Sequence, residues 1–446
     1  VLLQDSHSQK EAFRVNVTTH RKLARRKARI LKRLRPRRWA EQLKPMLSAR
    51  NIAYELADRD RAVNCGGIGA VHLLARHVGL ARLIDRDIHV LKRHLPYHES
   101  DHVLSLAYNA MVGGTSIEDL ERLRNDEAYL DALGAARIPD PTTAGDFCRR
   151  FQSDEQILSL MEAINQARLN VWRQQEPAFF RQAVIDADGT IAPTSPLVPA
   201  RLGMNISYDG QWGDRAGTKG ISLANTKEPL YLVNRPGNRP SHEQADVYLD
   251  RAVALCRQAG FKSILLRGDT DFTQTWKLDE WDEAGDITFL FGADASPGLV
   301  ARAQEIPAAD WRRLRRPAKY EVKTEPRARP DNVKEQIVRE KGYKNLVLQW
   351  EDVAEIEHRP VACRKSYRLV VLRKKISVEQ GQQKLFEEYR YFFHITNDRG
   401  STDEQIVFSA NDRCDQPALS EAEGENLIEQ LKNGVGSMRN PEATRN

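Results

Sequence analysis

The chain has 446 residues, 41% of them apolar, and a net charge of +6. That is enough for one large core or two to three smaller ones, which excludes a disordered protein. No apolar run approaches the roughly 18 residues that span a bilayer, the opening VLLQDSHSQKEAFR lacks signal-peptide order, and the five scattered cysteines form no C-x-x-C pair, so a cytoplasmic protein without a disulfide framework is expected.

Charge is uneven along the chain. Residues 1–50 carry 15 Lys/Arg against 3 Asp/Glu, a net of +12, which leaves −6 for residues 51–446. Within Arg21–Arg38, 11 of 18 residues are basic, with Leu23, Ile30, Leu31 and Leu34 at near-helical steps. The segment reads either as a basic arm that orders as a helix on a nucleic-acid backbone or as a solvated tail. Residues 51–175 repeat apolar side chains every three or four positions, which predicts a helical domain for DNA binding or dimerisation. Asp140-Pro141-Thr142-Thr143 supplies a cap and first turn for the helix that follows. After Phe180 the period becomes that of strands: RQAVIDADGTIA, MNISYDGQW, KGISLAN and EPLYLVN, then a helix capped by Ser241, then KSILLRGD. The expected fold class is α/β, an RNase H-like mixed sheet with flanking helices. Its parts run over 176–295 (first part of the core), 296–385 (a β-rich insertion) and 386–446 (last part, with a Glu-bearing helix).

Three carboxylates stand out in that frame. Asp188 and Asp269 each end an apolar strand beside a glycine, and Glu425 opens a helical stretch whose Lys432, two turns on, projects from the same face. Hard cations such as Mg²⁺, with Mn²⁺ as a substitute, take a few carboxylates plus water and phosphate oxygens, so the three residues point to a two-metal phosphodiester-cutting site. A rival reading takes D-A-D-G-T as the nucleophile motif of a haloacid-dehalogenase-type phosphatase, with Asp186 as nucleophile and Asp188 as acid/base. Asp186 and Asp271 are otherwise assigned to the sheet face away from the ligands. Candidate phosphate contacts are Arg235, Asn238 and Arg239 in a Pro/Gly-rich loop and Arg312, Arg313, Arg315 and Arg316 at the entrance to the insertion, where Trp311 either stacks on a base or packs. His94, His98 and His102 have four-residue spacing, but Pro96 breaks a shared helix, so they read as structural or capping residues. Cys65-Gly66-Gly67 reads as a helix-entry turn.

The segments GGIGAVHLLARHVGL, HLPYHESDHVLSLAYN, IPDPTTAGDFCRRF, LVNRPGNRPSHE, LLRGDTDFTQT and ENLIEQLKNG resemble those of bacterial insertion-sequence DDE transposases, from about residue 50 to 435. The resemblance implies Asp188, Asp269 and Glu425 as catalytic acids, Mg²⁺-dependent cleavage and strand transfer, and binding to terminal inverted repeats and target duplex; a homodimer in the active complex is expected because pairing two ends requires coordinated copies, and a nucleoid-associated location is expected with it. A related pattern has an Arg four residues before the Glu and a Lys seven after. Lys432 fits, but Arg413 lies 12 before Glu425. Pro417–Gly424 (PALSEAEG) thus resembles an eight-residue insertion that splits the motif, and the chain stops at Asn446 where similar proteins continue. An impaired enzyme, or a DNA-binding remnant without catalysis, is the expectation that follows from these departures.

Overall fold

Apolar residues at three- and four-residue steps wind the first part of the chain into helices, as their spacing predicts. The computed structural model describes residues 17–34, 42–47, 65–193, 215–235, 239–240, 242–316, 341, 344–380 and 383–413. They fall into two compact units, one ending at Asn170 and the other beginning at Val171. The first unit contains α1 (Val17–Leu34), α2 (Ile68–His77), α3 (Leu80–Asp87), α4 (Glu99–Met111), α5 (Asp119–Arg124), α6 (Glu127–Leu133), α7 (Pro141–Cys148) and most of α8 (Asp154–Trp172). Leu104, Tyr108, Leu120, Leu123, Leu130 and Ile138 close its core. Local chemistry sets the helix ends. Asp140 accepts from the Thr143 N–H at 2.9 Å with Pro141 at the first helical position, as its sequence predicts. Gly134, at φ 62°, takes the left-handed conformation that ends α6. The Cys65–Gly67 turn does lead into α2. The described part of the basic segment, Arg21–Leu34, is helical in α1, and one flank of it is tied within the unit: Arg33 meets Asp131 at 3.1 Å, while Arg29 approaches Glu127 and Asp131 at 3.9 and 3.8 Å.

In the second unit the period changes to two and a sheet forms. Its strands are β1 (Ala183–Pro193), β2 (Arg215–Leu223), β3 (Glu228–Arg235), β4 (Ile264–Gly268), β5 (Ile287–Ala293), β6 (Arg312–Arg313), β7 (Lys344–His358), β8 (Tyr367–Gln380) and β9 (Gln383–Thr396). Between and after them come α9 (Ala245–Ala259), α10 (Leu278–Glu283), α11 (Pro297–Gln304) and α12 (Asp403–Asp412). The strand order is β3-β2-β1-β4-β5-β9-β8-β7-β6. β1 and β2 pair antiparallel, as do β2 and β3, whereas β1, β4 and β5 run parallel. A meander, a helical crossover and a parallel return make the RNase H-like core, with β1 and β4 side by side at its centre. The later strands extend the same sheet, because β9 pairs antiparallel with β5 and β8 with β9. α12 lies on this extension, with Ile406 and Val407 in a cluster with Leu290, Val353, Val370 and Leu372.

Two expected elements differ or fall elsewhere. MNISYDGQW and Ser241 lie outside the described residues, and α9 starts at Ala245 after Gln244, which sits at φ 55°. Among the described residues no helix is long and apolar enough to cross a membrane.

Candidate active site

β1 is a central strand whose Ile185, Asp186 and Ala187 are all fully buried. It pairs residue for residue with β4 up to Ala187 and Gly268. One step further both chains reach solvent, and there stand Asp188, with a 54% exposed side chain, and Asp269, with 38%. Each carboxylate is locally anchored. Asp188 Oδ1 accepts from the Gly189 N–H at 2.9 Å, and Asp269 Oδ1 accepts from the Asp271 N–H at 3.0 Å, capping the 3₁₀ turn Thr270–Phe272.

Arg413, at the end of α12, joins the two acids. Its Nη1 lies 3.6 Å from Asp188 Oδ1 and 3.6 Å from Asp269 Oδ2, so these oxygens are separated by no more than twice that distance. The same nitrogen donates to the Ala187 carbonyl at 3.4 Å. Burial lifts the Asp269 carboxyl above its ordinary value; the Arg413 cation opposes this, and the Asp271 and Asp188 charges add to it. Glu425 and Lys432 lie outside the described residues, as does Asn238, and nothing is described of the Arg235 side chain.

Beneath the acid row lies a second row that the sequence reading missed. Arg267 clasps Asp186 with two hydrogen bonds, Nε to Oδ1 at 2.7 Å and Nη2 to Oδ2 at 2.8 Å, and its Nη1 donates to the Ser409 carbonyl at 2.8 Å. This corrects the expectation that Asp186 faces away from Asp188: residues two apart on an unbroken strand share a face. Asp271 is not on a strand at all, since β4 ends at Gly268. The phosphatase reading is overturned here as well. Asp186 is fully buried with both oxygens engaged by Arg267, and the next described strand, β2, pairs antiparallel with β1. The available signal was an arginine inside an apolar strand, which is rarely buried without an acid partner.

Four of the arginines proposed from sequence as phosphate contacts pair with acids of the protein. Arg239 pairs with Glu243, Arg312 with Asp403, Arg313 with Asp352 at 3.2 Å, and Arg316 with Glu351 at 2.5 Å; Arg315 is exposed. The Arg373 guanidinium sits 3.9 Å over the Trp311 ring, so that indole packs on a cation of its own sheet. His94, His98 and Glu99 come within 4.8 Å of one another by their ligand atoms. Their contacts serve the fold: His94 Nε2 meets Glu99 at 3.1 Å, the other Glu99 oxygen accepts from the Leu91 N–H at 3.0 Å, and His98 Nε2 bonds the Gln42 carbonyl at 2.9 Å. α4 starts at Glu99, with His98 as its N-cap residue, so only His102 of the three histidines is helical.

The cryo-EM structure of a piggyBac transposase synaptic complex with hairpin DNA is similar at 10% identity over 84% of this chain and 76% of that one, with a TM-score of 0.37. No curated protein matches the chain. The family described as transposase DDE domain, group 1, matches residues 44–350. That span is well over half of the sequence, and the chain belongs to this family of DDE transposase domains.

Proposed function

We propose that this protein cuts and transfers DNA strands with divalent cations held by Asp188, Asp269 and Glu425, and that it acts on the inverted-repeat ends of its element as a homodimer bound to duplex DNA. The observation that carries the reading is the convergence of Asp188 and Asp269 on one nitrogen of Arg413 at 3.6 Å each. The pair fits a hard ion: its donors are all oxygen, both side chains reach solvent, and a guanidinium cation already sits between them. Mg²⁺, or Mn²⁺ in its place, bound there supplies activation of water or a 3′-hydroxyl and stabilisation of the departing oxygen. The chain's own residues supply the rest. The strand ends fix the two carboxylates, Arg413 offers its cation to a phosphate of the bound strand, and Lys432 is assigned the same task from the Glu425 segment. A dimer follows from the need to process two ends together.

Asp188→Asn tests the reading. The substitution keeps the side chain's size and removes its charge, so Mg²⁺-dependent nicking of a duplex bearing the element's inverted repeats should fall at least a hundredfold while retention of that duplex on a gel is unchanged. Nicking at the parent rate would rule out Asp188 as a metal ligand.

A further inference from the structure

We infer that the buried pair Asp186–Arg267 is a positioning device: through the Ser409 carbonyl it fixes the end of α12 so that Arg413 stands between Asp188 and Asp269. Its bearing on cleavage rests on the function proposed above, whereas its hold on Arg413 does not.

The last four carbonyls of a helix have no intrahelical donor, and Ser409 is among those of α12. Arg267 provides the donor at 2.8 Å and, as a cation, suits the negative end of the helix. The end of α12 meets both levels: Arg267 Nη1 donates to the Ser409 carbonyl, and four residues on Arg413 Nη1 donates to the Ala187 carbonyl and lies 3.6 Å from an oxygen of each acid. The opposite end of α12 is also tied, since Asp403 receives Arg368 at 2.5 Å and Arg312 as well. With both ends held, Arg413 has little freedom to leave the acids.

Stability alone does not account for the pair. Asp186 is fully buried and Arg267 only 7% exposed, between the apolar Ile185 and Ala187 and beside Leu266. Well-packed apolar residues in place of a buried ion pair often leave a protein as stable or make it more so. What such residues cannot do is grip the Ser409 carbonyl.

That contrast defines the test in the full-length chain. Asp186→Leu combined with Arg267→Met removes both charges together, so no buried charge is orphaned. Hydrogen exchange of the amides from Ser409 to Arg413 should speed up roughly tenfold or more, while the first turn of α12 and β1 stay protected. Nicking with Mn²⁺ should fall roughly tenfold, and the same change should cost less than about threefold when Arg413 is already alanine, because the two act through one group. Unchanged exchange at the end of α12, or losses that multiply with Arg413→Ala, would overturn the proposal. If the parent chain does not cut DNA, it is the proposed function that fails, and the exchange measurement alone decides the positioning role. Should the double replacement fail to fold, Arg267→Lys serves in its place: an ammonium keeps a charge beside Asp186 but lacks the planar fork that reaches Asp186 and Ser409 at once, and the same two outcomes apply.

Discussion

Asp269 leaves β4 under a close-fitting neighbour, and a glycine makes the fit possible. A Cβ at Gly292 of β5 would lie 2.8 Å from the Thr270 backbone nitrogen and 3.2 Å from the Asp269 carbonyl carbon. Those are backbone atoms, which cannot swing aside as a side-chain tip can. Gly292→Ala must therefore push the turn that carries Asp269, at an overpacking cost of about 1–3 kcal/mol. Gly298 in α11 has nothing within 4 Å of its Cβ position, so Gly298→Ala is the matched control, neutral or slightly stabilising by helix propensity. Urea unfolding of the two variants should separate them clearly, and nicking should fall only in Gly292→Ala; equal midpoints would show that the turn yields freely. Nothing in FLFGAD announces this constraint, because it arises from a segment distant in sequence. The Arg267–Asp186 pair escaped notice for the same reason: the register that makes them neighbours is a property of the sheet. Asp188 and Asp269 were legible because each carries its own local signal, an acid beside glycine at the end of an apolar run.

At the level of elements, the helical unit holds two imidazoles that burial keeps neutral. His72, bonded through Nδ1 to the Tyr108 hydroxyl at 2.9 Å, is lowered to about 4 mainly by burial. His102, stacked on Phe147 with centroids 4.4 Å apart, is lowered to about 3, again mainly by burial with Arg150 adding to it. Unfolded, both titrate near 6.5. As pH falls the unfolded chain takes up protons first, so the stability these groups contribute is full above 6.5 and is lost progressively from there towards 4 and 3. Asp85 and Asp101 act with the opposite sign, since burial raises both carboxyls. A variant isolates the histidine share. His102→Leu should unfold with a visibly shallower loss of midpoint between about pH 7 and pH 5 than the parent, followed by helical circular dichroism. Parallel pH profiles for the two proteins would mean that His102 is not held neutral. The helices themselves were readable from three- and four-residue spacing and from caps such as Asp140, which act within a few residues. The His98 and Asp101 contacts that bind the 42–47 segment were not, because they reach the Gln42 carbonyl and the Met46 and Leu47 N–H groups across more than fifty positions.

For the molecule as a whole, chain order carries most of the architecture. A meander, a crossover helix and a parallel return admit few arrangements, and the one adopted puts β1 beside β4. What order alone left open was the continuation of the same sheet through β9, β8 and β7, since antiparallel strands with polar interruptions look alike whether they extend a sheet or build another. The third acid is where this geometry now bears hardest. Arg413 ends α12 and touches both described acids, so a residue four positions later on a continued helix would share its face. In this sequence that position is Pro417, which cannot continue the helical bonding, and Glu425 comes 12 residues after Arg413. Removing Pro417–Gly424 shortens the interval to four and places Lys432 seven residues beyond the Glu. If Asp188, Asp269 and Glu425 form one site, the deletion variant should nick an inverted-repeat duplex with Mg²⁺ at least tenfold faster than the full chain, and the gain should vanish when Glu425 is changed to Gln. Equal rates for the two chains would mean that the eight residues do not hold Glu425 away, and a gain that survives Glu425→Gln would assign the third ligand to another acid.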